Sequence, residues 1–152
     1  MDIPIIDQVK IQAQVLVPLV RALQAELGEE AANALVRKTL GDLYRTYGEK
    51  WWRARGGHNL GEVMASTFKK FAAGNALAYA VVKQAPDAFE VDVTECLYAK
   101  FYKEMEAPEL GFLLTCSVDF PMTEGFGADV QLTRTQTIMQ GASHCDFRYR
   151  LK

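Results

Sequence analysis

The apolar positions change period midway along the chain. From Ile5 to Leu27, the residues Ile11, Val15, Leu16, Leu19, Leu23 and Leu27 recur at mostly three- or four-residue steps, which predicts an amphipathic helix. Pro18 should kink that helix or split it in two, and Gly28 is suited to stop it. A second helix is predicted from about Glu29 to Tyr47, with Ala32, Leu35, Val36, Leu40, Leu43 and Tyr44 as its inner stripe and Gly48 as its end. The segment from Trp51-Trp52 to Gly56-Gly57-His58 reads as a loop. Asn59 followed by Glu62 forms a capping pattern for a third helix, which should run to about Lys83 with Gly74-Asn75 as a weak point. Residues 84–87 read as a turn.

Past that turn, Phe89, Val91 and Val93 alternate with Glu90, Asp92 and Thr94, the mark of a half-buried strand. Leu97 to Met105 returns to a helical pattern. Pro108 suits the first turn of a short helix ending near Ser117. Phe120 to Gly127 reads as a loop. Val130 to Ile138 and His144 to Leu151 alternate again, joined by a turn at Gln140–Ser143, and are predicted to form an antiparallel hairpin. The order predicts an α+β fold, with N-terminal helices packed on a small, mainly antiparallel sheet that ends in a C-terminal hairpin.

Composition narrows the function classes. The chain has 152 residues, 49% hydrophobic and 24% charged, which describes one globular domain spanning 1–152. The net charge of −2 argues against nucleic acid as a partner. No apolar run approaches the roughly 18 residues of a membrane span. The first residues lack a basic region ahead of an apolar stretch, so the expected compartment is the cytoplasm. Three widely spaced cysteines do not make a secreted disulfide framework. The first helix could also supply a homo-oligomer face.

The alternation identifies polar residues on inner faces. Glu95 continues the row of Phe89, Val91 and Val93. Arg134 and Gln136 share a face with Val130, Leu132 and Ile138. Cys145 continues the row of Phe147, Tyr149 and Leu151. Each has a plain reading: Cys145 as a buried small hydrophobe, Glu95 and Arg134 as partners of each other. Cys116 and Asp119 lie three apart and can share a helical face. The three thiols therefore have three readings: separate buried groups, a zinc site of Cys96, Cys116 and Cys145 completed by His144 or Asp119, or a catalytic cysteine with acidic and basic helpers. No C-x-x-C pair supports the zinc reading. His144 should point away from Cys145, His58 reads as a surface histidine, and the two tryptophans as loop packing. Nucleotide-binding glycine motifs, G-x-S-x-G and H-E-x-x-H are absent.

The runs Glu95-Cys96-Leu97-Tyr98-Ala99, Gly111 to Asp119 and Arg134 to Arg148 resemble the L-2-amino-thiazoline-4-carboxylic acid hydrolase family. The resemblance extends into the N-terminal helices through Pro18 and Trp51-Trp52 and covers nearly the whole chain. The final turn from Gly141 to Phe147 is also similar to the end of 4-vinyl reductase-type ligand-binding domains. The hydrolase resemblance implies opening of a small cyclic amidine, lactam or cyclic amide without a cofactor. On that reading Cys145 or Cys116 is the nucleophile, with Cys145 preferred because a strand holds it rigidly. Asp119 or Glu95 handles protons, Arg134 holds a substrate carboxylate, and Gln136, Asp146, His144 and Cys96 line or position the substrate. The competing reading is a sensor or carrier that binds a small molecule or metal and breaks no bond.

Overall fold

The computed structural model describes residues 2–152. Its helices are α1 (Ile5–Leu27), α2 (Glu29–Ala54), α3 (Leu60–Phe71), α4 (Leu97–Glu104), α5 (Pro108–Gly111) and α6 (Asp119–Phe126). Its strands are β1 (Leu77–Ala85), β2 (Ala88–Cys96), β3 (Val130–Thr133) and β4 (Cys145–Leu151). The four strands form one sheet in the order β1-β2-β4-β3, with every pairing antiparallel, and β3 and β4 make the expected C-terminal hairpin. Helices plus this sheet give the α+β class read from the sequence.

The sheet works as the alternation predicts. Phe89, Val91 and Val93 of β2 and Cys145 and Tyr149 of β4 are buried on one face, against Leu60, Met64 and Phe68 of α3. The other face carries charge. Arg148 of β4 bonds Asp92 at 2.8 Å, and Arg150 bonds Glu90, so β2 and β4 are clasped by opposite charges. A second core lies between α1, α2, α4 and α5.

Several elements differ from the sequence reading. α1 is a single helix, unsplit by Pro18. Its buried side is Ile6, Ala13, Val17 and Val20, whereas Ile11, Val15, Leu19 and Leu27 are exposed in the single chain. Leu35 and Leu43 of the predicted α2 stripe are exposed as well, while Ala32 and Val36 are buried. α2 does not stop at Gly48 but runs two turns further, so Trp51 and Trp52 are helical. There Gly48 is a contact residue: a Cβ would be driven into the Met122 carbonyl of α6, and one at Gly125 into the Arg45 carbonyl of α2. Two glycines thus let the backbones of α2 and α6 touch.

α3 begins as predicted, with the Asn59 side chain accepting from the Glu62 N–H at 3.1 Å, but ends at Phe71. Residues 77–83, read as the rest of that helix, and 84–85, read as part of the turn, are strand β1, because pairing along β2 satisfies their backbone. The predicted loop at 120–127 is mostly α6, whose Pro121 lies in the first turn where no N–H is needed. The strand predicted to Ile138 ends at Thr133, and residues 138–140 form a short 3-10 turn.

Candidate active site

The three cysteines come from three different elements and line one cavity of about 100 Å³. Cys145 opens β4 on its inner face, as the alternation predicts. Cys96 reaches the cavity through an irregularity in β2. Tyr79 pairs with Val93 but Ala78 pairs with Glu95, so β2 carries one extra residue there. Such a bulge shifts the alternation by one. Glu95 therefore faces solvent, contrary to the strand-face reading, and Cys96 takes the inner position. Cys96 also caps α4, accepting from the Ala99 N–H at 3.4 Å.

Cys116 ends a π-helical turn, Phe112–Cys116, that follows α5. Inserting one residue in a helix in this way re-aims the side chains that follow, and such turns are common at functional sites. Asp119 begins α6 and also faces the cavity, so Cys116 and Asp119 meet there from two successive elements rather than on the face of one helix.

Asp119 and Arg134 are the only charged residues lining the cavity among the described residues. They bond each other at 2.7 Å, Arg134 Nη1 donating to Asp119 Oδ2. Nη2 donates to the Cys116 carbonyl at 3.2 Å. The Arg134 side chain is 2% exposed. Its guanidinium also lies over the Phe120 and Phe147 rings, 5.0 and 5.2 Å from their centroids. Arg134 thus pairs with Asp119 rather than with Glu95, the partner its strand face suggested.

Burial dominates the titration of these groups. It pushes the Asp119 carboxyl up to about 6, against the opposing pull of Arg134. It pushes the Cys116 thiol well up, with Asp119 adding to the effect and Arg134 opposing it. Cys145 is also raised by burial, but the Ile138 N–H, donating to Sγ at 3.2 Å, and Arg134 both favour its thiolate. Burial raises Cys96 too, against the Ala99 N–H.

The remaining candidates do not line the cavity. Gln136 Nε2 donates to the His144 carbonyl at 3.0 Å and lies beside the His144 ring. Asp146 points away from the thiols and clamps the segment that follows Arg134. Its carboxylate accepts from the Thr135 and Gln136 N–H groups at 2.8 and 3.0 Å and from the Thr135 hydroxyl. Although burial opposes it, these bonds hold the Asp146 carboxyl below its usual range. Asp146→Ala is expected to cost about 2 kcal/mol, because two N–H donors lose a charged acceptor; a urea midpoint measurement checks this. His58 is exposed and bonds the Gly56 carbonyl. Trp51 donates to the Thr67 hydroxyl and Trp52 stacks on Phe126, so both pack α2 rather than a loop.

Two hydroxyls were not singled out from the sequence. Tyr149 lies buried in the cavity wall beside Thr123, whose hydroxyl bonds the Asp119 carbonyl at 2.7 Å. Burial raises the Tyr149 phenol well above its ordinary range. The signal for Tyr149 was present, since it shares the inner row of Cys145. Among the described residues, no three His, Cys, Asp or Glu side chains are grouped to hold a metal ion.

The model of the L-2-amino-thiazoline-4-carboxylic acid hydrolase family matches residues 8–149. The chain belongs to this hydrolase family. Among curated proteins, none matches it. Two solved structures share its fold. One is the phenol-responsive sensory domain of the transcription activator PoxR with phenol, at TM-score 0.52 and 14% identity, covering 90% of this chain and 73% of that one. The other is trafficking protein particle complex subunit 3 from Naegleria fowleri, covalently bound to palmitic acid, at TM-score 0.53 and 16% identity, covering 94% and 96%. Among the described residues, no helix of this family member is long and apolar enough to cross a membrane.

Proposed function

We propose that this hydrolase opens a small cyclic amide or amidine inside the cavity, with Cys145 as nucleophile and Asp119 as proton carrier. The observation that carries the reading is the convergence of Cys145, a half-buried Asp119 and the buried Arg134 that pairs with it on one apolar cavity. At neutral pH the raised thiols are protonated, so attack needs a base. Asp119 is ionised above about 6 and is close enough for its charge to raise the Cys145 thiol.

For a lactam the steps balance with water as co-substrate. Asp119 takes the thiol proton as Sγ bonds the carbonyl carbon. The ring C–N bond breaks and nitrogen takes that proton. Water, deprotonated by Asp119, then attacks the thioester; the C–S bond breaks, the thiol is restored and an amino acid leaves. The Ile138 N–H at Cys145 favours the thiolate as attacking and leaving group. Cys145 is preferred to Cys116 because the Ile138 N–H donates to its Sγ and opposes the effect of burial, whereas no such bond favours a Cys116 thiolate.

The expected pH–rate profile follows from the direction of the Asp119 shift. Below about 6 its carboxyl is protonated and cannot accept the thiol proton, so kcat/KM should fall with acid and level off above that value. A flat profile from pH 5 to 8 contradicts the base assignment.

A second reading is supported by the aromatic lining, including Phe68, Phe126, Phe147 and Tyr149, and by the phenol-responsive domain that shares the fold. Here the cavity binds a small ring and breaks no bond. Incubation with a panel of small lactams and cyclic amidines, followed by chromatography, separates the two. Ring opening supports the hydrolase; binding without turnover across the panel supports the sensor.

A further inference from the structure

We propose that Asp146 is a positioning residue for Cys145: from the outer face of β4 it holds the segment 134–138 so that the Ile138 N–H and Arg134 meet the thiol on the inner face. The inference rests on the reading of Cys145 as the reactive thiol, and it gives a task to a carboxylate that lines no part of the cavity.

The ladder between β3 and β4 ends at the pair Thr133 and Arg148. Beyond it, residues 134–137 have no regular structure before the 3-10 turn at Ile138. Their N–H groups still need acceptors. Two neighbouring side chains of β4 supply them. Asp146 Oδ1 accepts from both Thr135 and Gln136, at 2.8 and 3.0 Å, and Oδ2 takes the Thr135 hydroxyl. Cys145 Sγ accepts from Ile138 at 3.2 Å. Adjacent residues of a strand point to opposite faces, so one segment is gripped from both sides of β4. Arg134 stands at the head of that segment, with its guanidinium on Asp119 and the Cys116 carbonyl.

The place Asp146 occupies is unfavourable for a charge that does nothing else. It lies directly across from Asp92 of β2, and like charges opposite each other on adjacent strands repel. Asp92 has Arg148 as its cation at 2.8 Å, whereas Asp146 forms no ion pair among the described residues. Its oxygens are spent on the N–H and hydroxyl donors of the segment, which a carboxylate holds more strongly than a neutral group does. Two further ties reach the segment: Gln136 Nε2 donates to the His144 carbonyl at 3.0 Å, and Lys103 Nζ to the Ile138 carbonyl at 2.9 Å. Neither engages a backbone N–H of residues 134–138.

Charge and position act on Cys145 in opposite directions. The groups that face its thiol are Asp119 of α6, Arg134 of the segment itself, Asp146 beside it on β4, Cys96 at the end of β2 and Cys116 of the π-turn. The Asp146 charge disfavours the thiolate, whereas the Ile138 N–H and Arg134 favour it. Deleting the charge alone should therefore make the thiol easier to ionise. Losing the grip should make it harder, because the N–H donor and the cation move away.

The test measures alkylation of each thiol by iodoacetamide from pH 7 to 11, on the wild-type protein and on Asp146→Ala, Asp146→Asn and Asp146→Glu. Peptide mapping separates Cys96, Cys116 and Cys145; the plateau of each profile reads access and its midpoint reads ionisation. Asparagine keeps the Oδ1 acceptor that both N–H groups share. Glutamate keeps the charge but is one methylene too long for the same grip. Asp146→Ala and Asp146→Glu should raise the Cys145 midpoint by about one pH unit, as loss of a hydrogen bond to a charged group does, while Asp146→Asn leaves it unchanged or lowers it. Cys96, whose sulfur takes the Ala99 N–H instead, should keep its profile in every variant. Should Asp146→Ala fail to fold, the glutamate and asparagine variants decide. An unchanged or lowered Cys145 midpoint in Asp146→Glu, a rise in Asp146→Asn as large as in Asp146→Glu, or equal shifts at all three thiols overturns the proposal. Absence of turnover with every lactam sinks the hydrolytic reading and leaves the alkylation result standing.

Discussion

Cys145→Ser is expected to lower ring-opening turnover at least about 10³-fold and to leave the melting temperature nearly unchanged. The sulfur carries three features at once. It sits on the inner row of β4, accepts the Ile138 N–H at 3.2 Å, and feels both charges of the Asp119–Arg134 pair. Serine keeps the size and can accept the same N–H, so folding should survive. Its hydroxyl is a far poorer nucleophile without a strong base. Cys116→Ser is expected to cost less than about tenfold, because what Cys116 supplies to Arg134 is its backbone carbonyl, which any residue retains. Steady-state kinetics on both variants checks this. A variant pair in which Cys116→Ser loses activity and Cys145→Ser keeps it reverses the assignment.

Gly48→Ala is expected to destabilise the fold by about 3 kcal/mol or more, lowering the melting temperature by roughly 10 °C. The added methyl would meet the Met122 carbonyl of α6, and a backbone oxygen cannot rotate aside. Relief requires α2 and α6 to separate, and α6 carries Asp119 at its first turn. Gly41→Ala, two turns earlier on α2, is the contrast. Its Cβ would lie 3.8 Å from Pro121, an ordinary contact, while alanine favours the helix by up to about 1 kcal/mol. Gly41→Ala is therefore expected to be neutral or stabilising. Thermal unfolding of the two variants measures the difference, and equal effects would show that the helix crossing is not what Gly48 serves.

The same glycine explains one limit of reading this fold from its sequence. A glycine inside a helical pattern reads as a stop, and Gly48 is a close-approach residue instead. The distinction depends on α6, which lies far away in the chain. Strand β1 was hidden for a related reason. Its alanines and Val81-Val82 continue a helix-like stretch, and only the partner β2 makes them a strand. Alternation was reliable wherever the strand was regular. It oriented Phe89, Val91 and Val93 in β2 and Cys145 in β4 correctly. It failed at Glu95 because the bulge before it shifts the faces by one residue, and no sequence signal marks a bulge of that kind. In α1, apolar residues lie on both sides, so periodicity found the helix without finding its buried face.

The site was legible in parts. Cys145 followed from the alternation within β4, and Cys116 and Asp119 from their three-residue spacing, although a break between two elements falls between them. Cys96 and the partner of Arg134 did not, since both depend on where separate elements meet. The structure also gives Asp146 a task the sequence could not: it clamps residues 135–136, next to Arg134, from the outer side of β4.

The central claim is that Cys145 attacks the ring carbon, and it can be observed directly. A lactam from the panel that is turned over is mixed with the protein, quenched in acid within the first turnover, and analysed by intact mass followed by peptide mapping. The predicted result is a transient species heavier than the protein by the full mass of the lactam, since ring opening expels no atom, with the adduct on Cys145. Adduct on Cys116, or unmodified protein throughout a turnover that nevertheless completes, would contradict the account.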